Sequence, residues 1–246
     1  MTTTLEASTE THHRYYTPTP IVSKQHAHPN TSLHHPLFTP HSLKMPTSQL
    51  HLEGWKRLTT AFPDTGVTNA ILGICQFSAR IGYEEVRERP VIYPNLAIAQ
   101  TDALLISTDI TLTLEKHRIH KYPRGADLPR HYTASALWLT DRSDGSKRRI
   151  HYLSYPPQSS QSINAGILEE YGTITYSSIA NAISAVLELE PNWILIERDF
   201  ESAFRHIPVS PLDSPLLGFH WNESYYAEQF LPFGLHTAPC LFNLFA

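Results

Sequence analysis

The sequence predicts an α+β fold in which a helical region precedes a set of short strands. Between residues 51 and 121, apolar residues such as Trp55, Leu58 and Phe62 recur at helical spacing. From Tyr132 onward, the apolar runs become short and are separated by turn residues. The chain has 246 residues, 41% of them hydrophobic, which is enough for one large domain or two modest ones.

Composition excludes several classes of protein. No run approaches the roughly 20 apolar residues that a membrane helix needs, so no membrane partner is expected. The N-terminus lacks the charged-then-apolar order of a signal peptide. With Cys75 and Cys240 as its two cysteines, the chain can form neither a disulfide framework nor a cysteine-based zinc site. We therefore expect an intracellular protein of the cytoplasm or nucleus.

Charge is unevenly distributed. Residues 116–149 contain nine basic and three acidic side chains, whereas residues 150–246 contain two basic and ten acidic ones. This asymmetry is compatible with a protein that binds phosphate with one part and metal with another. Taken alone, the uneven charge is better explained by a solvated strip on the protein surface. The choice between these two explanations therefore depends on the sequence motifs.

The chain divides into three predicted regions. Residues 1–50 contain six prolines and seven histidines without an apolar period, which predicts a disordered tail. Residues 51–125 form the predicted helical N-terminal region, with Asp64 or Thr65 capping one helix and Asn95 preceding another. Residues 126–246 form the third region.

The third region combines strands with two helices. We predict a hairpin with strands 132–140 and 149–155, followed by an amphipathic helix over 176–188 that Ser177 or Ser178 caps. A buried strand is predicted at 193–196. A second hairpin with strands 216–221 and 225–231 follows, and then a helix that begins at Thr237.

Asp199 places a carboxylate just after the predicted buried strand. A single acidic residue at a strand end often only caps the next turn, so it is weak evidence alone. Two further segments accompany it: LPFGLHTAP at 231–239, and DGSKRRIHYLS at 144–154.

These segments resemble the reverse transcriptases of retroelements. DFESAFRHIP at 199–208 is similar to their first catalytic-aspartate motif, LPFGLHTAP to a palm motif that contacts nucleotide and template, and DGSKRRIHYLS to a fingers segment. The motifs are most similar to those of tyrosine-recombinase (DIRS-like) retrotransposons of the fungal type. The resemblance covers residues 126–246 and implies a partial right-hand polymerase with fingers and palm.

The resemblance also implies a site. Asp199 and the Phe200 backbone carbonyl would bind Mg²⁺ or Mn²⁺, of which the intact family uses two ions. Phe204 would be the aromatic gate that excludes a 2′-hydroxyl, although an ordinary core aromatic explains it equally well. The implied nucleotide-binding residues are Phe200, Phe204, Arg142, Lys147, Arg149, Phe233 and Gly234. A solvent-facing hairpin is the alternative explanation of the three cations.

The family's second metal-binding element, a Tyr-x-Asp-Asp hairpin, is expected beyond Ala246. We therefore expect a truncated RNA-directed DNA polymerase, whose partners are dNTP and RNA or DNA template-primer, and which lacks appreciable activity alone. One alternative is a non-catalytic nucleic-acid-binding remnant that uses seven basic residues, namely Lys116, Arg118, Lys121, Arg124, Lys147, Arg148 and Arg149. Another is an unrelated α/β interaction protein.

Overall fold

The computed structural model describes residues 50–189 and 199–246. The helices in these ranges are Leu52–Leu58 (α1), Thr65–Phe77 (α2), Ala103–Glu115 (α3), Glu169–Gly172 (α4), Ile179–Leu187 (α5) and Ala238–Asn243 (α6). The strands are Val91–Ile92 (β1), Ile119–Lys121 (β2), Thr133–Ala134 (β3), Ala136–Asp141 (β4), Lys147–Tyr152 (β5), Gly218–Trp221 (β6) and Ser224–Glu228 (β7). Short 3₁₀ helices lie at Ala97–Gln100, Asn164–Gly166, Ala203–His206 and Ser214–Leu217.

Five strands form a mixed sheet in the order β1-β3-β6-β7-β2. The β1–β3 and β3–β6 pairs are parallel, and the β6–β7 and β7–β2 pairs are antiparallel. The β4–β5 hairpin forms a separate two-stranded sheet. The described residues thus combine helices with β-sheet, which agrees with the predicted mixture of the two.

The N-terminal half contains strands as well as the predicted helices. Asp64 caps α2 as predicted, because its carboxylate accepts the backbone N–H of Val67 at 3.0 Å. The helix ends at Phe77, since Ser78 takes a positive φ of 67°, and the apolar run continues as extended chain to the buried Ile81.

Strands β1 and β2 lie where only helix was predicted. Asn95 does not cap a helix: its side chain accepts the Leu137 N–H and donates to the His220 carbonyl, both at 2.9 Å. The cap of α3 is Asp102, which accepts the Leu105 N–H. Asn95 instead joins two separate β-elements, β4 and β6.

Both predicted hairpins are present, but with shorter strands than predicted. The start of the predicted strand 132–140 instead forms β3 in the large sheet, and residues 216–217 belong to a 3₁₀ helix. The β4–β5 turn contains Gly145 at a φ of 79°, and the β6–β7 turn uses Asn222 and Glu223 at 44° and 58°. Residues with small or short polar side chains tolerate such values best, which is why turn chemistry located the first hairpin correctly.

Helix α5 confirms the predicted amphipathic helix and its cap. The Ser178 hydroxyl accepts the Asn181 N–H, and the Asn181 side chain accepts the Ser178 N–H, which completes a capping box. All nine residues of α5 are exposed, including Ile179 and Leu187 on its apolar face. The predicted strand 193–196 lies outside the described residues, as do residues 1–49 of the predicted tail.

Two large apolar clusters form most of the core. One surrounds Ile81, Leu153, Leu217 and Leu231 and includes Leu241 of α6. The other packs α3 against Leu137, Leu139 and Phe219. The β4–β5 hairpin thus lies against a helix and against the large sheet.

Helix α6 begins at the predicted position but without the predicted cap. Thr237 occupies the cap position, and its hydroxyl donates to the Ile81 carbonyl at 3.1 Å instead of accepting a helix N–H. Among the described residues, no helix combines the length and apolar character needed to cross a bilayer.

Candidate functional site

The 199–208 segment and the 231–239 turn meet through aromatic rings. The ring centroid of Phe204 lies 5.0 Å from that of Phe233 and 5.9 Å from that of Phe242 in α6. Phe200 also contacts Phe242, at 5.8 Å. Because Phe200 and Phe233 are 57% and 47% exposed, the rings present an apolar surface to solvent. We call Phe200, Phe204, Phe233 and Phe242 the Phe cluster.

Backbone hydrogen bonds hold these two segments together. The Leu231 N–H donates to the Ile207 carbonyl at 3.0 Å, and the Val209 N–H donates to the Gln229 carbonyl at 2.9 Å. Ser202, with a φ of 55°, turns the chain into the 3₁₀ helix Ala203–His206 that carries Phe204. The backbone hydrogen bonds made by Ile207 and Val209, which follow Phe204 in the chain, therefore help to fix the position of Phe204.

Gly234 is required where it stands. Its φ is 97°, and a Cβ added to it would lie 2.8 Å from the His151 carbonyl oxygen of β5. The side chain of Asn164 fixes the same turn, because it donates to the Gly234 carbonyl at 2.8 Å and accepts the His236 N–H at 2.9 Å. The turn that carries Phe233 therefore lies directly against β5 and is held by Asn164.

Asp199 is exposed and lies next to Phe200 in the chain. Within residues 50–189 and 199–246, no group of three or more His, Cys, Asp or Glu side chains is placed to hold a metal ion. Carboxylate oxygens suit Mg²⁺, but one carboxylate and a backbone carbonyl do not form a complete site. The binding of two ions at this position therefore stays a prediction.

The predicted cations of the hairpin occupy two different environments. Arg142 and Lys147 are exposed beside the turn. The Arg149 side chain is only 5% exposed, and its Nε donates to Asp109 Oδ2 at 2.6 Å. Its guanidinium also lies 4.8 Å from the Phe219 ring centroid. No described contact joins these three cations to the Phe cluster, and nucleotide binding by them stays a prediction.

Arg148 is exposed, although the resemblance pointed to its neighbour. Register pairs Thr140 with Arg148 and Leu139 with Arg149, so the two arginines lie on opposite faces of the hairpin. Leu137 and Leu139 are buried on the Arg149 face. Strict alternation from those leucines could have identified Arg148 as the solvent-facing cation.

A fully buried carboxylate lies between the hairpin and the Phe cluster. Glu228 of β7 forms ion pairs with Arg205, and its Oε1 lies 4.0 Å from Arg149 Nη1 and 3.6 Å from His151 Nδ1. Burial alone would raise the pKa of Glu228, but Arg205, His151 and Arg149 outweigh it and lower that pKa to about 2. Sequence reasoning missed this group, since its partners lie far away in the chain.

Comparison with known proteins gives a weak likeness of fold. No protein-family model matches the chain, and neither does any curated protein. A crystal structure of prototype foamy virus protease-reverse transcriptase is similar at a TM-score of 0.47 and 16% identity, covering 67% of this chain and 19% of that one. The foamy viral enzyme in complex with double-stranded DNA is similar at a TM-score of 0.42 and 14% identity, covering 84% of this chain and 36% of that one. The chain thus spans well under half the length of these solved structures.

Proposed function

We propose that this chain is the fingers and part of the palm of a reverse-transcriptase-type polymerase, and that its Phe cluster binds an incoming nucleotide. One observation carries this proposal: Phe204 and Phe233 lie 5.0 Å apart although 29 positions separate them in the sequence. Their contact brings together the two segments whose residues resemble polymerase motifs, with Asp199 at the start of the first. The residues of those motifs favour an origin in a DIRS-like retrotransposon.

In this proposal, the exposed rings of Phe200 and Phe233 pack against the sugar and base of the nucleotide. Phe204 restricts the space beside the sugar, which disfavours a 2′-hydroxyl. Arg142 and Lys147 bind the triphosphate through charge-assisted hydrogen bonds. When bound, Mg²⁺ would supply positive charge to the phosphates, and Asp199 with the Phe200 carbonyl would be its ligands from this chain.

Equilibrium titration of the chain with dNTP and rNTP in the presence of Mg²⁺ tests the proposal. We expect dNTP to bind more tightly than rNTP, and Phe204→Ala to reduce that difference. Phe233→Ala should weaken binding of both nucleotides. Phe62→Ala is the matched control, because Phe62 is 48% exposed and lies outside the Phe cluster. Equal dNTP affinity in wild type and Phe233→Ala, together with an unchanged ratio of dNTP to rNTP affinity in Phe204→Ala, would contradict the proposal.

The second candidate function is binding of nucleic acid without catalysis. Five of the seven basic residues that the sequence singled out are exposed, namely Lys116, Lys121, Arg124, Lys147 and Arg148. Neutralising phosphates with such side chains releases counterions, so affinity should fall steeply with salt. A flat affinity for RNA between about 50 and roughly 200 mM salt, the range over which such binding ordinarily weakens, would contradict this function.

A further inference from the structure

Four aromatic rings form a continuous row beside the β4–β5 hairpin. The Trp138 and Tyr152 ring centroids are 5.7 Å apart, those of Tyr152 and Tyr155 are 5.8 Å apart, and those of Tyr155 and Tyr93 are 5.7 Å apart. We call these residues the aromatic row. None of them belongs to the Phe cluster.

The aromatic row begins on the outer face of the hairpin. Trp138 lies opposite Ile150 in the register, and Leu137 and Leu139 on either side of it point into the core. Trp138 is 37% exposed, and Tyr152 is half-buried two positions beyond Ile150 on the same face. The row is therefore accessible from solvent and is separate from the buried ion pairs behind it.

Each end of the row carries an arginine. Arg148 is exposed on the same face of β5, two positions before Ile150. At the other end, the Tyr93 hydroxyl and the Arg87 guanidinium donate to the same Gln161 carbonyl oxygen. An acidic side chain lies near this second end as well, because the Tyr83 hydroxyl that accepts from Arg87 donates to Glu85 at 3.2 Å.

We propose that the aromatic row binds the unpaired bases of a single-stranded nucleic acid, with Arg148 and Arg87 contacting phosphates. Every base has a π-face, so a row of rings binds single strands with little dependence on sequence, and flanking cations supply the backbone contacts. Paired bases in a duplex are already stacked and cannot lie against the rings. This inference rests on the proposed function, which implies a nucleic-acid partner. It places the binding of that partner on residues outside the Phe cluster.

The test measures binding of oligonucleotides to the full 246-residue chain. We expect Trp138→Ala and Tyr152→Ala each to weaken binding of 12-mers of dT or U about tenfold. The same substitutions should change binding of a blunt duplex of equal length less than about twofold, because a duplex does not use the rings. Tyr176→Ala is the control, since Tyr176 is 70% exposed and lies outside the row. The dT and U arms show whether DNA or RNA is preferred.

A second measurement uses only a conservative variant, in which one aromatic ring replaces another. Stacking of a base on Trp138 should quench its fluorescence during titration with the dT 12-mer, and the quenching should disappear in Trp138→Phe. Unchanged single-strand affinity in Trp138→Ala and Tyr152→Ala, or quenching that persists in Trp138→Phe, would overturn the proposal. Binding of a proline-rich peptide that is lost in Trp138→Ala and Tyr152→Ala, without binding of the dT 12-mer, would assign the row to a protein partner and overturn the proposal as well.

Failure of this inference and failure of the proposed function give different results. If nucleotide titration responds to Phe204→Ala while single strands ignore the row, the proposed function stands and the inference is wrong. If single-strand binding depends on Trp138 while dNTP does not bind, the inference stands and the proposed nucleotide binding is wrong.

Discussion

Arg205 and Glu228 form a two-point ion pair in the interior of the molecule. Both terminal nitrogens of the Arg205 guanidinium donate to the two oxygens of the Glu228 carboxylate, whose side chain is completely buried. Arg205 directly follows Phe204 in the chain, and Glu228 is the last residue of β7. The pair therefore connects the sheet to the segment that carries the Phe cluster.

Replacing this carboxylate should strongly destabilise the fold. Glu228→Gln leaves Arg205 and the buried Arg149 without this negative partner, and breaking a buried pair in this way costs about 3–5 kcal/mol. Urea denaturation gives the free energy of unfolding. Glu223→Gln is the control, because Glu223 is 78% exposed in its pair with Arg124 and such surface pairs contribute about 0–1 kcal/mol. Equal effects of the two substitutions would contradict the prediction.

The same residue should make stability depend on acid. Because the pKa of Glu228 is lowered from 4.5 to about 2, its contribution is fully present above pH 4.5 and is lost as the pH falls from 4.5 toward 2. Between those values, the wild type should lose up to about 3 kcal/mol more of its unfolding free energy than Glu228→Gln loses. Parallel pH profiles of the two proteins would show that Glu228 is not the group responsible.

Gly234 should tolerate no side chain. Gly234→Ala places a methyl group 2.8 Å from the His151 carbonyl oxygen in addition to the strain of a positive φ. Gly125→Ala isolates the strain alone, since Gly125 has a φ of 78° and an added Cβ there would meet no atom within 4 Å. We expect Gly125→Ala to cost about 1–2 kcal/mol and Gly234→Ala clearly more, by thermal denaturation. A smaller effect at Gly234 would mean that the turn moves freely away from β5.

The two neighbouring arginines of β5 should separate stability from binding. Arg149→Ala removes the partner of Asp109 and one of the cations that compensate the buried charge of Glu228, so it should lower the melting temperature by several degrees. Arg148→Ala should leave the melting temperature unchanged and weaken binding of single-stranded nucleic acid. The opposite assignment of effects would show that the register of the hairpin differs from the one described.

Primer extension tests catalysis. Asp199 is the one metal-binding carboxylate that the resemblance assigns to this chain, and two-metal catalysis needs more ligands than one carboxylate, so we predict that the chain alone adds no nucleotide to a primed RNA template in Mg²⁺ or Mn²⁺. Asp199→Ala is the control for contaminating polymerase. Incorporation by the wild type that disappears in Asp199→Ala would refute the expectation.

Local chemistry made part of this structure predictable. The caps Asp64 and Ser178 were each one of two predicted candidates, because short polar side chains that precede apolar periodic runs accept the first N–H groups of a helix. Gly145 located the β4–β5 turn in the same way. Strands β1 and β2 contain only two and three residues. An alternation of apolar and polar residues cannot appear over so short a length, so the helical spacing of the surrounding apolar residues predicted helix there.

Contacts between distant residues were not predictable from one sequence. Glu228 binds Arg205 and approaches Arg149, 23 and 79 positions away, and nothing in its neighbourhood indicates either partner. The resemblance directed attention to Arg149 for nucleotide binding, whereas the structure engages its guanidinium with Asp109. The choice between Arg148 and Arg149 depends on which face of the hairpin each side chain occupies, and alternation from Leu137 and Leu139 would have indicated it once their burial was known.

Pairing of Leu139 with Arg149 and of Thr140 with Arg148 also constrains how this chain can vary. If one residue were inserted into the loop that follows Asp141, the pairing could shift by one place. Ile150 would then face Asp109, and the charged side chain of Arg149 would face solvent. Insertions of two residues would preserve the alternation. Among homologous chains, loop lengths here should therefore differ in even steps, or an odd step should be accompanied by a bulge that restores the original facing.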